Sequence, residues 1–418
     1  MNMNRHIIQR LRETKVLENY SFMTALSIFS TLIGIIIYPY VIRVTGKDAY
    51  GTYVYALTIA TFFQALMDYG FDSPCAKAVV QAKDDLAERS KIVTSVILLK
   101  LGLILICGIA FGICVVLMPF MQKNIALCMM AFIQIMATSL FPVWYFQGLK
   151  KMKFVTYINL GLRLSTIPLI LWFVHAPKDI GVYALIVMAS IVVGTLIAYA
   201  CLLADGIRLK RITAERLRVL LQDATPFFAT SLTSSLKGFA IKTIIKQCFG
   251  VGEVAIYDLA EKIVTIPRFF TQNINGALFP EVVNNATPER VRRILKYERI
   301  IGISFAALVG LLSYPAVLIL GGHDMLGAVP VSILLSATIY TWLVVGAYIN
   351  FVFIPANRYY IITLNQVIAL LSCVLLALGG MYIWHDITTA AAGLMISGFI
   401  EILFCRYVSS RLHMRSDL

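Results

Sequence analysis

Charged side chains are scarce in this chain of 418 residues. Asp, Glu, Lys and Arg make up 14% of it, against 59% hydrophobic residues and a mean hydropathy of +0.82. A soluble domain of this length cannot hide so much apolar surface, which excludes a soluble fold. The eight cysteines (Cys75, Cys107, Cys114, Cys128, Cys201, Cys248, Cys373, Cys405) lie scattered through apolar runs, with no CxxC or Cys/His spacing. They read as small packing residues, not as a zinc module or a disulfide framework. The opening MNMNRHIIQRLRETKVLENY is polar and basic, and the apolar run after it is too long for the core of a cleavable signal peptide. Loops expected outside the membrane, such as PFMQKN (119–124), are short. That disfavours a membrane glycosyltransferase or polymerase, which needs sizeable external loops.

Long apolar runs are present instead. The stretches 20–42, 92–118 and 361–383 each exceed the roughly 20 helical residues that cross a hydrocarbon core. They do not alternate as the strands of a barrel would, and hydrogen-bond satisfaction in lipid then leaves only helices. About twelve spans are expected, near 20–42, 51–71, 92–118, 125–146, 155–174, 181–203, 226–249, 253–279, 300–320, 330–354, 360–383 and 388–408. With the N-terminus in the cytoplasm, the inner loops collect Arg5, Arg10, Lys77, Arg89, Lys150, Lys151, Arg208, Lys210, Arg211, Arg293 and Arg411 among others. The outer loops receive only Arg43, Lys47, Lys123 and Lys178. This asymmetry predicts that both termini are cytoplasmic. The net charge of +14 is therefore topogenic and does not point to nucleic acid; contact with acidic membrane lipids is a secondary expectation.

Shifted by 204 positions, residues 25–61 align without a gap on residues 229–265. Eleven identities result, Gly34/Gly238, Gly46/Gly250 and Tyr53/Tyr257 among them, where roughly three are expected by chance. Each half then holds six spans inserted the same way up, which makes parallel repeats around a central cavity. The expected fold is all-α and polytopic, with an N-terminal six-helix lobe (1–208) and a C-terminal one (209–418). An amphipathic cytoplasmic linker helix is expected over about 204–225.

Polar residues within the spans cluster by face. Tyr257, Glu261, Thr265, Arg268, Gln272 and Asn275 recur every three or four positions in the eighth span. The second span, its repeat mate, offers Tyr53, Thr61, Gln64 and Asp68. Such a stripe lines a wet cavity or forms a polar seam in which Glu261 pairs with a neighbouring base. The seventh span carries Lys237, Lys242 and Lys246. Lys246 and Lys100 are expected to snorkel to opposite membrane surfaces. Lys242 continues the small-residue face, Lys237 points off it, and Asp258 and Lys262 satisfy one another at i, i+4. Seven cations (Lys100, Arg163, Lys237, Lys242, Lys246, Lys262, Arg268) stand against four acids (Asp68, Asp258, Glu261, Glu401). Spare positive charge of this kind suits a phosphate or diphosphate cargo.

FPVWYFQGLKKMKF (141–154) resembles the PxWxFQGxExM hallmark of the Wzx-type polysaccharide repeat-unit flippases, within the multidrug/oligosaccharidyl-lipid/polysaccharide exporter superfamily. Lys150 replaces the usual acid. RVTGKDAYGTY (43–53), MDYGFDSPCAK (67–77), ATPFF (224–228) and GVGEVAIYDLAEKIV (250–264) are similar too. The resemblance implies a transporter rather than an enzyme, one that moves an undecaprenyl-diphosphate-linked oligosaccharide, for O-antigen or capsule, from the inner to the outer leaflet of the bacterial plasma membrane. Polysaccharide polymerase machinery is a candidate partner. On this reading Lys237, Lys242, Arg163 and Arg268 draw in the diphosphate, and Tyr257, Gln64, Gln272 and Asn275 line a sugar-tolerant cavity. Members are often cation-coupled, and Asp68, Glu261 and Glu401 are the candidates to carry a proton or sodium ion; no other cofactor is expected. The alternative is a cation-coupled multidrug exporter of the same superfamily.

Overall fold

The computed structural model describes residues 37–82, 85–284, 288–356 and 358–416, with the backbone alone over 269–284, 288–292, 359 and 412–416. Most of the first expected span, with Gly34 of the repeat, lies outside the described residues, as do the side chains of Gln272 and Asn275.

Among the described residues all regular structure is helical. Helix α1 (37–68) is followed by α2 (Asp72–Gln81), α3 (Leu86–Leu117), α4 (Pro119–Lys123), α5 (Ile125–Leu140), α6 (Val143–Gly148), α7 (Met152–Phe173) and α8 (Ile180–Ala204). The second half brings α9 (Ala214–Phe249), α10 (Val251–Asn284), α11 (Pro288–Gly321), α12 (Ala328–Tyr348), α13 (Tyr359–Trp384) and α14 (Thr388–Ser416). Eight of the spans are long and apolar enough to cross a membrane by themselves. Helices α1, α9 and α10 are not in that set, and these three carry most of the ionisable groups of the site described below, Glu401 on α14 being the exception. Lipid-facing leucines such as Leu311, 79% exposed, mark the outer surface of the bundles.

The internal repeat is visible in the backbone. Gly46 and Gly250, repeat mates, both adopt positive φ (+76° and +95°), which only glycine takes without strain. Each lies where its half passes from the first expected span to the second, so α1 runs from the end of the first into the second with Gly46 at the join. In the first half α5 and α7 pack on α8, and α2 on α6; in the second, α12 packs against α10, α11 and α14, and α13 against α9 and α14. The protein has an all-helical membrane fold, consistent with about twelve spans in two repeated bundles, eight of them apolar spans among the described residues.

The halves close on one another at the Gly46/Gly250 end, the end that the charge asymmetry assigns to the outside. A Cβ on Gly51 would lie 1.9 Å from the Val251 carbonyl oxygen, and one on Gly252 would lie 2.5 Å from Asp48 Oδ1. Arg43 donates to the carbonyls of Leu318 and Ile319 at 3.2 and 2.5 Å. At the opposite end Tyr69 stacks flat on Phe228, with ring centroids 4.4 Å apart, and Gly70 (φ +73°) leaves no room for a side chain beside Phe227.

The connection between the halves departs from the amphipathic helix expected over 204–225. Residues 207–213 are non-helical and lie along α3, where the backbone N–H groups of Arg208 and Lys210 donate to Ser90 Oγ and Thr94 Oγ1. From Ala214 one helix runs unbroken through Pro226 into the seventh span. The hydroxyls of α3 take over the hydrogen bonding that a separate helix would have supplied internally.

The FQG hallmark builds a clamp. Gly148 permits α6 to touch α2, since a Cβ there would meet Val79 at 2.7 Å. Trp144, Tyr145 and Phe146 are buried. Tyr145 Oη donates to Asp205 Oδ2 at 2.6 Å, Arg89 reaches the same oxygen at 3.2 Å, and Lys151 pairs with Oδ1. Lys150, at the hallmark's acidic position, is exposed in a turn with φ +56°. Partial burial pushes the Asp205 carboxyl up, but Lys151, Tyr145 and Arg89 together hold it below the usual carboxylate range. Its contribution is complete above the unfolded carboxylate range and is lost as pH falls through the depressed folded value. Asp205→Asn is expected to cost about 1–3 kcal/mol at neutral pH. Thermal unfolding in detergent checks this, and the gap between wild type and variant should close under acidic conditions.

Candidate functional site

The second half encloses a cavity of about 530 Å³. Helix α9 presents Ser234, Lys237, Gly238, Ile241 and Lys242 to it, spaced so that they share one face. Helix α10 adds Tyr257, Glu261 and Arg268; α12 adds Thr338, Thr341, Trp342 and Val345; α13 adds Gln366; and α14 adds Gly398 and Glu401. Gly398 is required where α14 crosses α12, because a Cβ there would sit 2.4 Å from Thr341 Oγ1.

The lysines of this wall are ion-paired, and the spare positive charge expected from composition is largely neutralised. Lys237 Nζ lies 3.5 Å from Glu401 Oε1, whose other oxygen accepts from Asn365 Nδ2 at 3.0 Å. Lys237 therefore faces the cavity and does not point away from it. Lys242 Nζ is shared between Glu261 Oε2 at 2.9 Å and Asp258 Oδ1 at 3.2 Å. Asp258 in turn binds Lys262 at 2.5 Å, the expected i, i+4 pair. Tyr50 of the first half accepts from Lys262 at 2.6 Å and donates to Asp258 at 3.3 Å. The Lys262 ammonium also stands 4.1 Å from the Tyr38 ring centroid. The cluster thus continues from the cavity wall into the contact between the halves. Arg268 donates to Thr338 Oγ1 and lies 5.9 Å from the Trp342 ring centroid. Four cations and three carboxylates leave this group of described side chains with one net positive charge.

A second cavity, of about 870 Å³, lies between the halves and meets the first at Ile349. Thr61, Gln64, Asp68, Asp72 and Ser73 face Phe227, Thr230, Ser231 and Ser235 across it. Its wall is rich in hydroxyls and carries no basic side chain among the described residues.

Of the residues expected at the site, Lys237, Lys242, Tyr257, Glu261, Arg268 and Glu401 come together at the first cavity, while Gln64 and Asp68 line the second. Arg163 is exposed on α7 and lines neither. Lys100 does not snorkel. It is 3% exposed, 3.1 Å from Asp68 Oδ1, and donates to the Ser139 carbonyl, so its charge is satisfied within the bundle. Lys246 is half-buried over the rings of Tyr55 and Phe120, at 5.7 and 5.5 Å. Sequence reasoning missed Thr338, Asn365, Gln366 and Asp72; the signal for the first three was a hydroxyl or amide within an otherwise apolar span.

Removing one partner of a buried pair strands the other. Lys237→Met is expected to cost about 3–5 kcal/mol by leaving Glu401 without its cation. Adding Glu401→Gln should recover most of that, and a double-mutant cycle on thermal unfolding reads the coupling.

Residues 16–286 match the family model described as "Polysaccharide biosynthesis protein". The chain is 25% identical over 281 residues, 67% of either chain, to the "Putative O-antigen transporter" of Escherichia coli (strain K12). It is 25% identical over 264 residues to the protein of that name from Shigella dysenteriae, covering 59% of this chain and 62% of the relative. Among solved structures, the lipid II flippase MurJ in an inward closed conformation superposes with a TM-score of 0.65 at 16% identity, over 93% of this chain and 87% of that one. An inward-facing multidrug resistance MATE family transporter gives 0.61 at 14% identity, over 92% and 99%. These likenesses show the fold, and the matched residues, which take in all of α1 to α10, show that the chain belongs to the polysaccharide biosynthesis protein family.

Proposed function

We propose that the protein is a flippase. It carries an undecaprenyl-diphosphate-linked oligosaccharide from the inner to the outer leaflet of the bacterial plasma membrane by alternating access, with both termini in the cytoplasm. The observation that carries this reading is the adjacency of two chemically different cavities. One holds Lys242 and Arg268, whose donors match phosphate oxygens. The other offers Gln64, Asp68, Asp72 and several hydroxyls beside the Phe227 ring, a wall suited to the hydroxyl edges and apolar faces of sugars. A diphosphate in the first cavity and its sugars in the second would leave the prenyl tail in lipid between lobes 1–208 and 209–418. The halves touch at the Gly46/Gly250 end and again at Tyr69 and Phe228, which fits a carrier whose larger cavity is bounded at both ends.

Ion pairing does not disqualify the lysines. The carboxylates lower the cost of holding ammonium groups in the membrane, about 2.5–3.5 kcal/mol each at a helix centre. An arriving diphosphate can then take a carboxylate's place. The Escherichia coli and Shigella relatives, named as O-antigen transporters, and the lipid II flippase fold support a lipid-linked glycan over a drug as the cargo. The combined variant Lys242→Ala with Arg268→Ala is expected to abolish surface-polysaccharide export, at least tenfold, which corresponds to about 1.4 kcal/mol of lost binding. Complementation of a strain lacking its own flippase measures this, with membrane insertion checked by fractionation. Normal export by the double variant would refute the diphosphate site.

A further inference from the structure

We propose that the segment joining the two halves, residues 207–213, is a binding site for an anionic phospholipid of the inner leaflet. Arg208, Lys210 and Arg211 hold its headgroup phosphate, and Leu209 meets its acyl chains. The inference is independent of the cargo and starts from where the segment is pinned. Ile207 is buried in the core of the first bundle. Beyond it the backbone N–H groups of Arg208 and Lys210 donate, at 3.3 and 3.1 Å, to Ser90 Oγ and Thr94 Oγ1, one turn apart on α3. The Thr94 hydroxyl donates its own hydrogen to the Ser90 carbonyl at 2.7 Å, which leaves its lone pairs for Lys210. The segment therefore runs along α3 and not out into water. Ser90 lies just before Ile92, where the apolar run of α3 begins, and Thr94 lies about 3 Å of helix rise beyond it. That places residues 207–213 at the boundary between headgroups and hydrocarbon.

The side chains at this depth suit lipid. Arg208, Lys210 and Arg211 are exposed, and no carboxylate among the described residues pairs with them. The acids on either side are engaged elsewhere. Glu88 takes Arg216 and, at 3.6 Å, Lys91; Asp205 takes Arg89, Lys151 and Tyr145. Glu215 stands exposed in the first turn of α9, where the helix dipole favours a carboxylate. Leu209, between the cations, is 72% exposed. A soluble polyanion would satisfy the cations and leave this leucine in water, whereas a phospholipid meets both with one molecule. Each basic side chain near an anionic leaflet contributes about fivefold in affinity, so three together give about a hundredfold before screening.

Native mass spectrometry of the full chain in detergent, titrated with phosphatidylglycerol or with phosphatidylcholine of the same acyl chains, tests this. The wild type is expected to prefer phosphatidylglycerol at least tenfold, less so as salt is raised. The combined variant Arg208→Gln, Lys210→Gln, Arg211→Gln should lose the preference. The variant Lys47→Gln, Lys123→Gln, Lys178→Gln removes the same charge from exposed positions of the loops assigned to the outside and should keep it. No preference in the wild type, or one that survives in the first variant, overturns the proposal. Equal loss in both variants shows an effect of bulk charge and also overturns it. Glycerol phosphate, which lacks acyl chains, should not compete; full competition makes the site one for soluble phosphate and refutes the lipid. If the first variant does not insert, the wild type in nanodiscs decides, with phosphatidylglycerol carrying a photoactivatable headgroup. Adducts must map to residues 204–216 or the first turns of α3, and their absence from both refutes the site.

Discussion

An ammonium group in the middle of a bilayer must be given a partner, and this requirement organises the interior of the protein. Each of Lys100, Lys237, Lys242 and Lys262 meets a carboxylate, and three of those pairings join different helices. Lys237 ties α9 to α14, Lys242 ties α9 to α10, and Lys100 ties α3 to the end of α1. Lys246 has aromatic faces from the other half in place of an acid. Between helices in lipid there is little hydrophobic drive, so polar contacts of this kind and close glycine crossings such as Gly398 on Thr341 hold the bundles together.

The same requirement explains where reading the sequence succeeds and where it stops. Spans, repeat and the two chain-reversing glycines are local properties, carried by hydropathy runs and by matching residues at a fixed offset. Gly46 and Gly250 could be recognised as mates from the alignment alone, and their shared positive φ gives the physical reason for the match. The polar stripe of α10 followed from helical periodicity, and Tyr257, Glu261 and Arg268 do line one cavity. The lysines' partners were not legible in the same way. A hydropathy window judges Lys237 alone, while its partner Glu401 lies on the last helix, and only the packing of α9, α13 and α14 brings them together. Lys100 was read as reaching for the surface for the same reason: its depth was visible, but Asp68 beside it was not. Composition overstated the surplus, because counting cations does not reveal which acids stand within reach.

The hallmark around FQG shows a further separation between what marks a family and what touches a cargo. Its buried residues Trp144, Tyr145 and Phe146 pack the end of the first bundle, and Tyr145 joins α3, α6 and α8 through Asp205 and Arg89. Neither cavity draws on them. Residues that distinguish the site, such as Lys242 and Glu261, belong to no such motif and are recognisable only as costly groups in an apolar span.

Asp258 links these two levels of organisation. Its one carboxylate serves Lys242, on the cavity wall, and also Lys262 and Tyr50, in the contact that closes the halves. A carboxylate shared among several donors binds each less strongly than it would bind one alone, because the donors compete for the same lone pairs and the cations repel each other. Whatever changes the partner of Lys242 therefore changes the charge that Asp258 presents to Lys262 and Tyr50, across a distance of one helix. On the alternating-access reading proposed above, this contact must be strong when the cavity is in one state and weak in the other. On that reading, a carboxylate common to the cavity wall and the contact between the halves gives occupancy of one a physical route to bias the other, through the same residues that make the lysines tolerable in the membrane.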